Sequence, residues 1–116
     1  MSVVIYHNPR CSKSRQTLAV LEENGVQPQI VKYLETPLTV VELKALYAQL
    51  GFNSVRDMMR TKEADYKDAN LGAEDVTDEE LFQAMADNPK LFERPVVVAN
   101  GKAKIGRPPE QVLEIL

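Results

Sequence analysis

Near residue 10 the chain passes from a strand into a helix, within the run Val3-Val4-Ile5-Tyr6-His7-Asn8-Pro9-Arg10-Cys11-Ser12-Lys13-Ser14-Arg15. The continuous apolar residues Val3–Tyr6 predict a buried strand, and Asn8-Pro9 predicts a loop. The amphipathic run from Ser14 to Asn24 predicts the helix. Cys11 therefore lies at a helix N-terminus, where unpaired backbone N–H groups and the positive end of the helix dipole favour a thiolate.

Cys11 is the only cysteine of the chain. A lone cysteine is most often a small buried hydrophobic residue. Here the neighbours are polar and cationic, with Arg10, Lys13 and Arg15 close in sequence and His7 as a further source of positive charge. Such surroundings lower a thiol pKa from near 8.5 to about 3.5–7.5. We therefore interpret Cys11 as a nucleophile.

A single cysteine also restricts the chemistry, because no disulfide can form within the chain. Ser14 occupies the position that the second cysteine has in a C-x-x-C redox motif, and a serine cannot form a disulfide. Any adduct on Cys11 must then be released by a thiol from another molecule.

The composition is that of an ordinary globular domain. The 116 residues are 44% hydrophobic, which suffices for one core, and the net charge of −3 gives no bias toward nucleic acid. No apolar run approaches the ~18 residues of a membrane span, and no signal peptide is apparent. One unpaired thiol without an export signal favours a cytoplasmic location, and one cysteine with one histidine makes no plausible metal set.

The remaining elements alternate between strands and helices. A second strand is predicted at Gln29–Tyr33, parallel to the first because a helix connects them. Two later strands form a hairpin about Asn100-Gly101, the strongest short turn motif of the chain. The predicted order is β-α-β, a helical insertion at about 38–90, then β-β-α, all in one domain over 1–116. The other predicted elements are helices at Thr39–Leu50, Ser54–Arg60, Thr77–Ala86 and Glu110–Leu116 and strands at Val96–Ala99 and Lys102–Gly106.

This topology resembles the thioredoxin fold, an α/β fold with a mixed four-stranded sheet. In that fold a cis proline lies against the cysteine loop, and the resemblance places it at Pro95. The residues alone favour only a strand-entry proline there, because about 5–6% of X–Pro bonds are cis.

Three arginines lie at element boundaries, namely Arg60, Arg94 and Arg107. Each alone could be a solvated surface side chain. Arg94 and Arg107, however, flank the predicted hairpin and so share one edge of the sheet. Because guanidinium groups bind tetrahedral oxyanions with paired donors, a thiolate facing them would form a site for an anionic electrophile.

Four segments together resemble the glutaredoxin-coupled arsenate reductase family along nearly the whole chain. They are Tyr6-His7-Asn8-Pro9-Arg10-Cys11-Ser12-Lys13-Ser14-Arg15, Tyr33-Leu34-Glu35-Thr36-Pro37, Arg94-Pro95-Val96-Val97-Val98 and Gly106-Arg107-Pro108. The resemblance implies reduction of arsenate to arsenite. It makes Cys11 the nucleophile, flanked by His7 and Ser14, and assigns oxyanion binding to Arg60, Arg94 and Arg107.

The implied reaction needs no bound cofactor. Cys11 would form a thiol–arsenate adduct, glutathione would act as co-substrate, and glutaredoxin would restore the thiol. In this scheme His7 tunes the cysteine pKa, acts as a general acid or is a bystander, and Ser14 donates a hydrogen bond to the thiolate or caps the helix. Two other functions stay open: a general glutathione-linked thiol oxidoreductase, and a non-enzymatic binding module similar to Spx-type regulators. Neither nucleic acid nor a membrane is expected as a partner.

Overall fold

A computed structural model describes residues 2–116, which divide into two compact units. The sheet unit contains residues 2–36 together with Arg94–Leu116, and the helical unit contains Pro37–Glu93. The helical unit thus occupies the place in the chain where the sequence predicts the insertion.

The sheet unit is built on four strands in the spatial order β2-β1-β3-β4. They are β1 (Val3–Tyr6), β2 (Gln29–Val31), β3 (Val96–Ala99) and β4 (Lys102–Ile105). Strand β1 pairs parallel with β2 and antiparallel with β3, and β3 pairs antiparallel with β4. The predicted mixed four-stranded sheet is therefore confirmed.

One face of this sheet is covered by helix α1 (Ser12–Glu23) and by a 3₁₀ helix over Pro109–Ile115. Alternate strand residues point into the core between these layers, as the period of two in a strand requires. Leu21 of α1 meets them there. The buried members of this core are Val3, Ile5, Leu21, Val97, Ala99, Val112 and Ile115.

The helical unit contains α2 (Val40–Leu50), α3 (Ala64–Asp68) and α4 (Asp78–Asp87). Thr39 and Thr77 cap α2 and α4, and each forms the reciprocal capping box that the sequence predicts. Helix α2 contacts α4, which also contacts the 3₁₀ segments Val55–Met58 and Pro89–Leu91. Leu43, Leu46, Leu81, Phe82 and Met85 are the buried residues of α2 and α4.

Three predicted elements differ from the structure. The segments predicted as helices near Ser54–Arg60 and Glu110–Leu116 are 3₁₀ helices, a form that is frequent in short connecting segments. Strand β2 ends at Val31, before Tyr33, because the Lys32 carbonyl accepts hydrogen bonds from two N–H groups of the following turn.

The Arg94–Pro95 peptide bond is cis, as the thioredoxin-like resemblance predicts, and Arg107–Pro108 is a second cis bond, which was not predicted from the sequence. Within residues 2–116, no helix has the length and apolar character needed to cross a membrane.

Candidate active site

Cys11 is the N-cap residue of α1, one position before the first helical residue. Its backbone N–H donates to the Asn8 carbonyl at 3.0 Å, and its own carbonyl accepts the Arg15 N–H at 3.0 Å. The N–H groups of Lys13 and Ser14, which have no partner within the first turn of a helix, donate to the sulfur. The predicted position of the thiol at a helix start is confirmed.

Burial of the Cys11 thiol raises its pKa and is the largest single influence on it. Four groups lower this pKa, in decreasing order of effect: the Ser14 N–H, the Arg94 guanidinium, the Lys13 N–H and the Arg107 guanidinium. Together they outweigh burial, so the pKa of Cys11 lies below its ordinary value. The site thus favours a half-buried thiolate, the reactive form of cysteine.

Arg94 and Arg107 meet at one end of the β3–β4 hairpin. Arg94 precedes β3, Arg107 follows β4, and the Nε of Arg107 donates to the Arg94 carbonyl at 2.9 Å. The Nη2 of Arg107 lies 3.9 Å from the Cys11 sulfur. The structure therefore brings Cys11, Arg94 and Arg107 together, as the positions of the two arginines on either side of the hairpin predict.

Arg60 belongs to the helical unit. Its guanidinium forms an ion pair with Glu63 at 3.2 Å, and its backbone N–H donates to the Leu91 carbonyl at 2.7 Å. Its role as a third oxyanion-binding arginine stays a prediction.

His7 and Ser14 form a buried pair that ties the cysteine loop to α1. The Nδ1 of His7 lies 2.6 Å from the Ser14 hydroxyl, which also accepts the Asn8 N–H at 3.0 Å. The pKa of His7 lies below 6.5, mainly because the ring is buried and also because the positive charges of Lys32 and Arg15 lie near it. The neutral imidazole therefore predominates at pH 7. His7 therefore supplies no positive charge to the thiol at that pH.

Ser14 influences the sulfur through its backbone N–H, since its hydroxyl is engaged with His7 and Asn8. The predicted hydrogen bond from Ser14 to the sulfur therefore comes from the main chain and not from the hydroxyl. The hydroxyl holds the shape of the loop.

Two further contacts hold the same loop in place and were not identified from the sequence. The Nη1 of Arg15 donates to the Pro9 carbonyl at 2.9 Å, and the Asn8 side chain accepts the Arg10 N–H at 3.0 Å. The Asn8 contact is an Asx turn, which an asparagine before a proline is compatible with. The Arg15 contact joins residues six positions apart, and no short sequence motif predicts it.

Gly106 provides the close approach between the hairpin and α1. A Cβ at this position would collide with the Thr17 hydroxyl and would lie 2.9 Å from Thr17 Cγ2 and 3.0 Å from Pro95 Cγ. The Gly106 N–H donates to the Pro95 carbonyl at 2.9 Å. A glycine at the end of a strand was the only indication of this contact in the sequence.

Within residues 2–116, no group of three or more His, Cys, Asp or Glu side chains is placed to hold a metal ion. The candidate site consists of a thiol, backbone N–H groups and guanidinium groups. Such a set can stabilise a thiolate and bind an anion.

Residues 6–115 match the family model described as the ArsC family. "Uncharacterized protein YfgD" of Escherichia coli strain K12 is 63% identical over 98% of this chain and 96% of its own length. The "Arsenate reductase" of Haemophilus influenzae is 55% identical over the full length of both chains. A solved structure, "Arsenate reductase from Vibrio cholerae", has a TM-score of 0.99 and 66% identity, covering 100% of this chain and 98% of the other. The protein therefore belongs to the ArsC family, within the thioredoxin-like superfamily.

Proposed function

We propose that this protein is an arsenate reductase that uses glutathione and glutaredoxin. The observation that carries the proposal is the Cys11 thiol with its lowered pKa, 3.9 Å from the Arg107 guanidinium and under the influence of Arg94. The names of the relatives support the arsenate part of the proposal. The single cysteine supports the need for an external thiol.

The first step joins Cys11 to arsenic. Arsenate binds to the guanidinium groups of Arg94 and Arg107, and Arg60 stays the third arginine predicted for this role. The thiolate forms an S–As bond, one As–O bond breaks, and that oxygen leaves as water after gaining protons. The guanidinium groups stabilise the negative charge that accumulates as thiolate and oxyanion approach.

The second step transfers two electrons to arsenic. A glutathione thiol attacks the adduct, an S–S bond forms between glutathione and Cys11, and the S–As bond breaks. Each sulfur loses one electron, so arsenic(V) becomes arsenic(III), and protonation releases arsenous acid. Glutaredoxin then takes the glutathionyl group by thiol–disulfide exchange and restores Cys11. Because the cycle needs reduced glutathione, we propose the cytoplasm as its location.

The test is an assay that couples NADPH oxidation to glutathione reductase, glutathione and glutaredoxin, with arsenate as the oxidant. We expect turnover that depends on arsenate, on glutaredoxin and on Cys11. A parallel assay omits glutaredoxin, which would itself reduce a small disulfide, and replaces arsenate by hydroxyethyl disulfide. Turnover of the disulfide alone would identify a general thiol oxidoreductase, and no turnover in either assay would favour a regulatory binding module.

A further inference from the structure

A concave surface borders the loop that precedes Cys11, on the side of strand β2. It is a cleft of about 300 Å³, at the lower end of the 300–1,000 Å³ typical of small-molecule sites. One wall comes from the loop that leads to Cys11, and the other from the turn after β2. Its lining includes His7, Pro9, Arg10, Lys32, Leu34 and Glu35.

The charges of this cleft are available to a ligand. Arg10, Lys32 and Glu35 are exposed, and the salt bridges among residues 2–116 do not involve them. Two cations and one carboxylate give the cleft a net charge of +1. Leu34, at 41% exposure, adds an apolar surface between the charged groups.

The cleft lies next to the reactive thiol along the chain. Arg10 directly precedes Cys11, and the Cys11 N–H donates to the Asn8 carbonyl at 3.0 Å. Lys32 is close enough to His7 to lower its pKa. A tripeptide reaches roughly 10 Å when extended, at 3.3–3.6 Å per residue, which exceeds the ~3.8 Å between the Cα atoms of neighbouring residues such as Arg10 and Cys11.

The resolving thiol must come from outside the chain, because Cys11 has no cysteine partner. Glutathione, the thiol of the proposed function, carries two carboxylates and one ammonium, for a net charge of −1 at pH 7. We propose that this cleft binds glutathione, with Arg10 and Lys32 facing its carboxylates and Glu35 facing its ammonium. The assignment rests on the proposed function, which supplies the identity of the thiol.

A groove on the other side of α1 is a less suitable site for the same ligand. It has a volume of about 410 Å³ and lies between α1 and the segment that starts at Pro108. Its charged lining residues are Lys13, Glu23 and Glu110, which give a net charge of −1. This groove would repel a ligand of the same sign, whereas the Arg10–Lys32 cleft attracts it.

The test measures binding without chemistry. S-methylglutathione keeps both carboxylates and the ammonium but has no free thiol, and its binding is followed by NMR titration of the reduced protein. We expect chemical-shift changes centred on residues 7–11 and 32–35. Lys32→Glu should weaken binding about tenfold or more, as expected when one charge-assisted hydrogen bond is lost and the charge reversed. Arg10→Ala is the second variant, in case Lys32→Glu perturbs the turn.

Lys102→Glu is the matched control, because Lys102 is an exposed lysine on β4, at the opposite edge of the sheet from β2. It makes the same change in net charge and should bind S-methylglutathione as the native protein does. The diethyl ester of S-methylglutathione, whose carboxylates are masked, should bind more weakly to the native protein.

Absence of binding, shifts that map to the groove of Lys13 and Glu110, or equal weakening by Lys102→Glu would each overturn the proposal. The proposed function is tested separately, by whether arsenate protects Cys11 from alkylation with no glutathione present. If S-methylglutathione binds in the cleft but arsenate neither protects nor turns over, the arsenate function fails and the glutathione site stands. If arsenate protects Cys11 but S-methylglutathione does not bind in the cleft, the glutathione site fails and the arsenate function stands.

Discussion

Gly106→Ala should destabilise the protein, although its backbone conformation is open to alanine. The new methyl group would lie 2.9 Å from Thr17 Cγ2 and 3.0 Å from Pro95 Cγ, whereas carbon atoms prefer about 3.5–4.0 Å. Overpacking of this kind costs about 1–3 kcal/mol. Alanine also restricts the unfolded chain, which offsets about 0.4–1 kcal/mol. We therefore expect a net loss of roughly 1–2 kcal/mol in the free energy of unfolding.

Urea denaturation measures this loss directly. With a slope of about 1–3 kcal/mol per molar urea, the midpoint should fall by roughly 1 M. Gly72→Ala is the matched control, since the nearest atom to its new methyl group is a Tyr66 ring atom at the ordinary distance of 3.5 Å. That substitution should leave stability unchanged or raise it slightly.

A double-mutant cycle with Thr17→Ala identifies the cause. Thr17→Ala removes both side-chain atoms nearest the new methyl group, so Gly106→Ala should cost less in that background. A coupling energy of about 1 kcal/mol lies within the range expected for residues in contact. Equal costs in the two backgrounds, or a Gly106→Ala protein as stable as the native one, would refute the packing argument.

Three further outcomes concern the site. Cys11 should react with iodoacetamide well below pH 8, because its pKa is lowered, and Cys11→Ser should abolish reductase turnover; a thiol that reacts only near pH 9 would contradict this. The pKa of the Cys11 thiol is lower in the folded state than its ordinary value of 9.0. The native protein should therefore gain stability over Cys11→Ser as the pH rises through the folded pKa toward 9.0, and should lose that gain on acidification. A difference in urea midpoints that does not change with pH would contradict this. Arg94→Ala should lower arsenate turnover, and Arg94→Lys should restore it only in part because an ammonium keeps the charge but lacks the paired donors; full rescue would reduce its role to charge alone.

Local sequence patterns predicted most of the fold. The apolar run Val3–Tyr6, the capping boxes at Thr39 and Thr77, and the Asn100-Gly101 turn each determine structure within a few residues, and each is present. In the turn, Asn100 and Gly101 both adopt positive φ, as a two-residue hairpin of this kind requires. The type of the short helices was less predictable, because over one or two turns a sequence pattern does not separate the α period of 3.6 residues from the 3₁₀ period of 3.0.

The reactive groups of the site could be predicted from the sequence, but the contacts that hold them in position could not. A cysteine at a helix start and arginines on both sides of a hairpin are visible in sequence order. The hydrogen bond between His7 and Ser14, by contrast, depends on how the loop folds back over seven residues. The contact of Gly106 with Thr17 joins residues 89 positions apart, so only the packed sheet unit reveals it.

Two sets of groups surround Cys11, and each has a different role. The backbone N–H groups of Lys13 and Ser14, with Arg94 and Arg107, set the charge of the thiol, while the His7–Ser14 pair sets the shape of its loop. A neutral His7 cannot hold the thiolate by charge, so its substitution should act through loop geometry. The serine in the C-x-x-C position therefore does more than prevent an internal disulfide. Its hydroxyl bonds to His7 and Asn8 within the loop, and its main-chain N–H donates to the sulfur and lowers the pKa of Cys11.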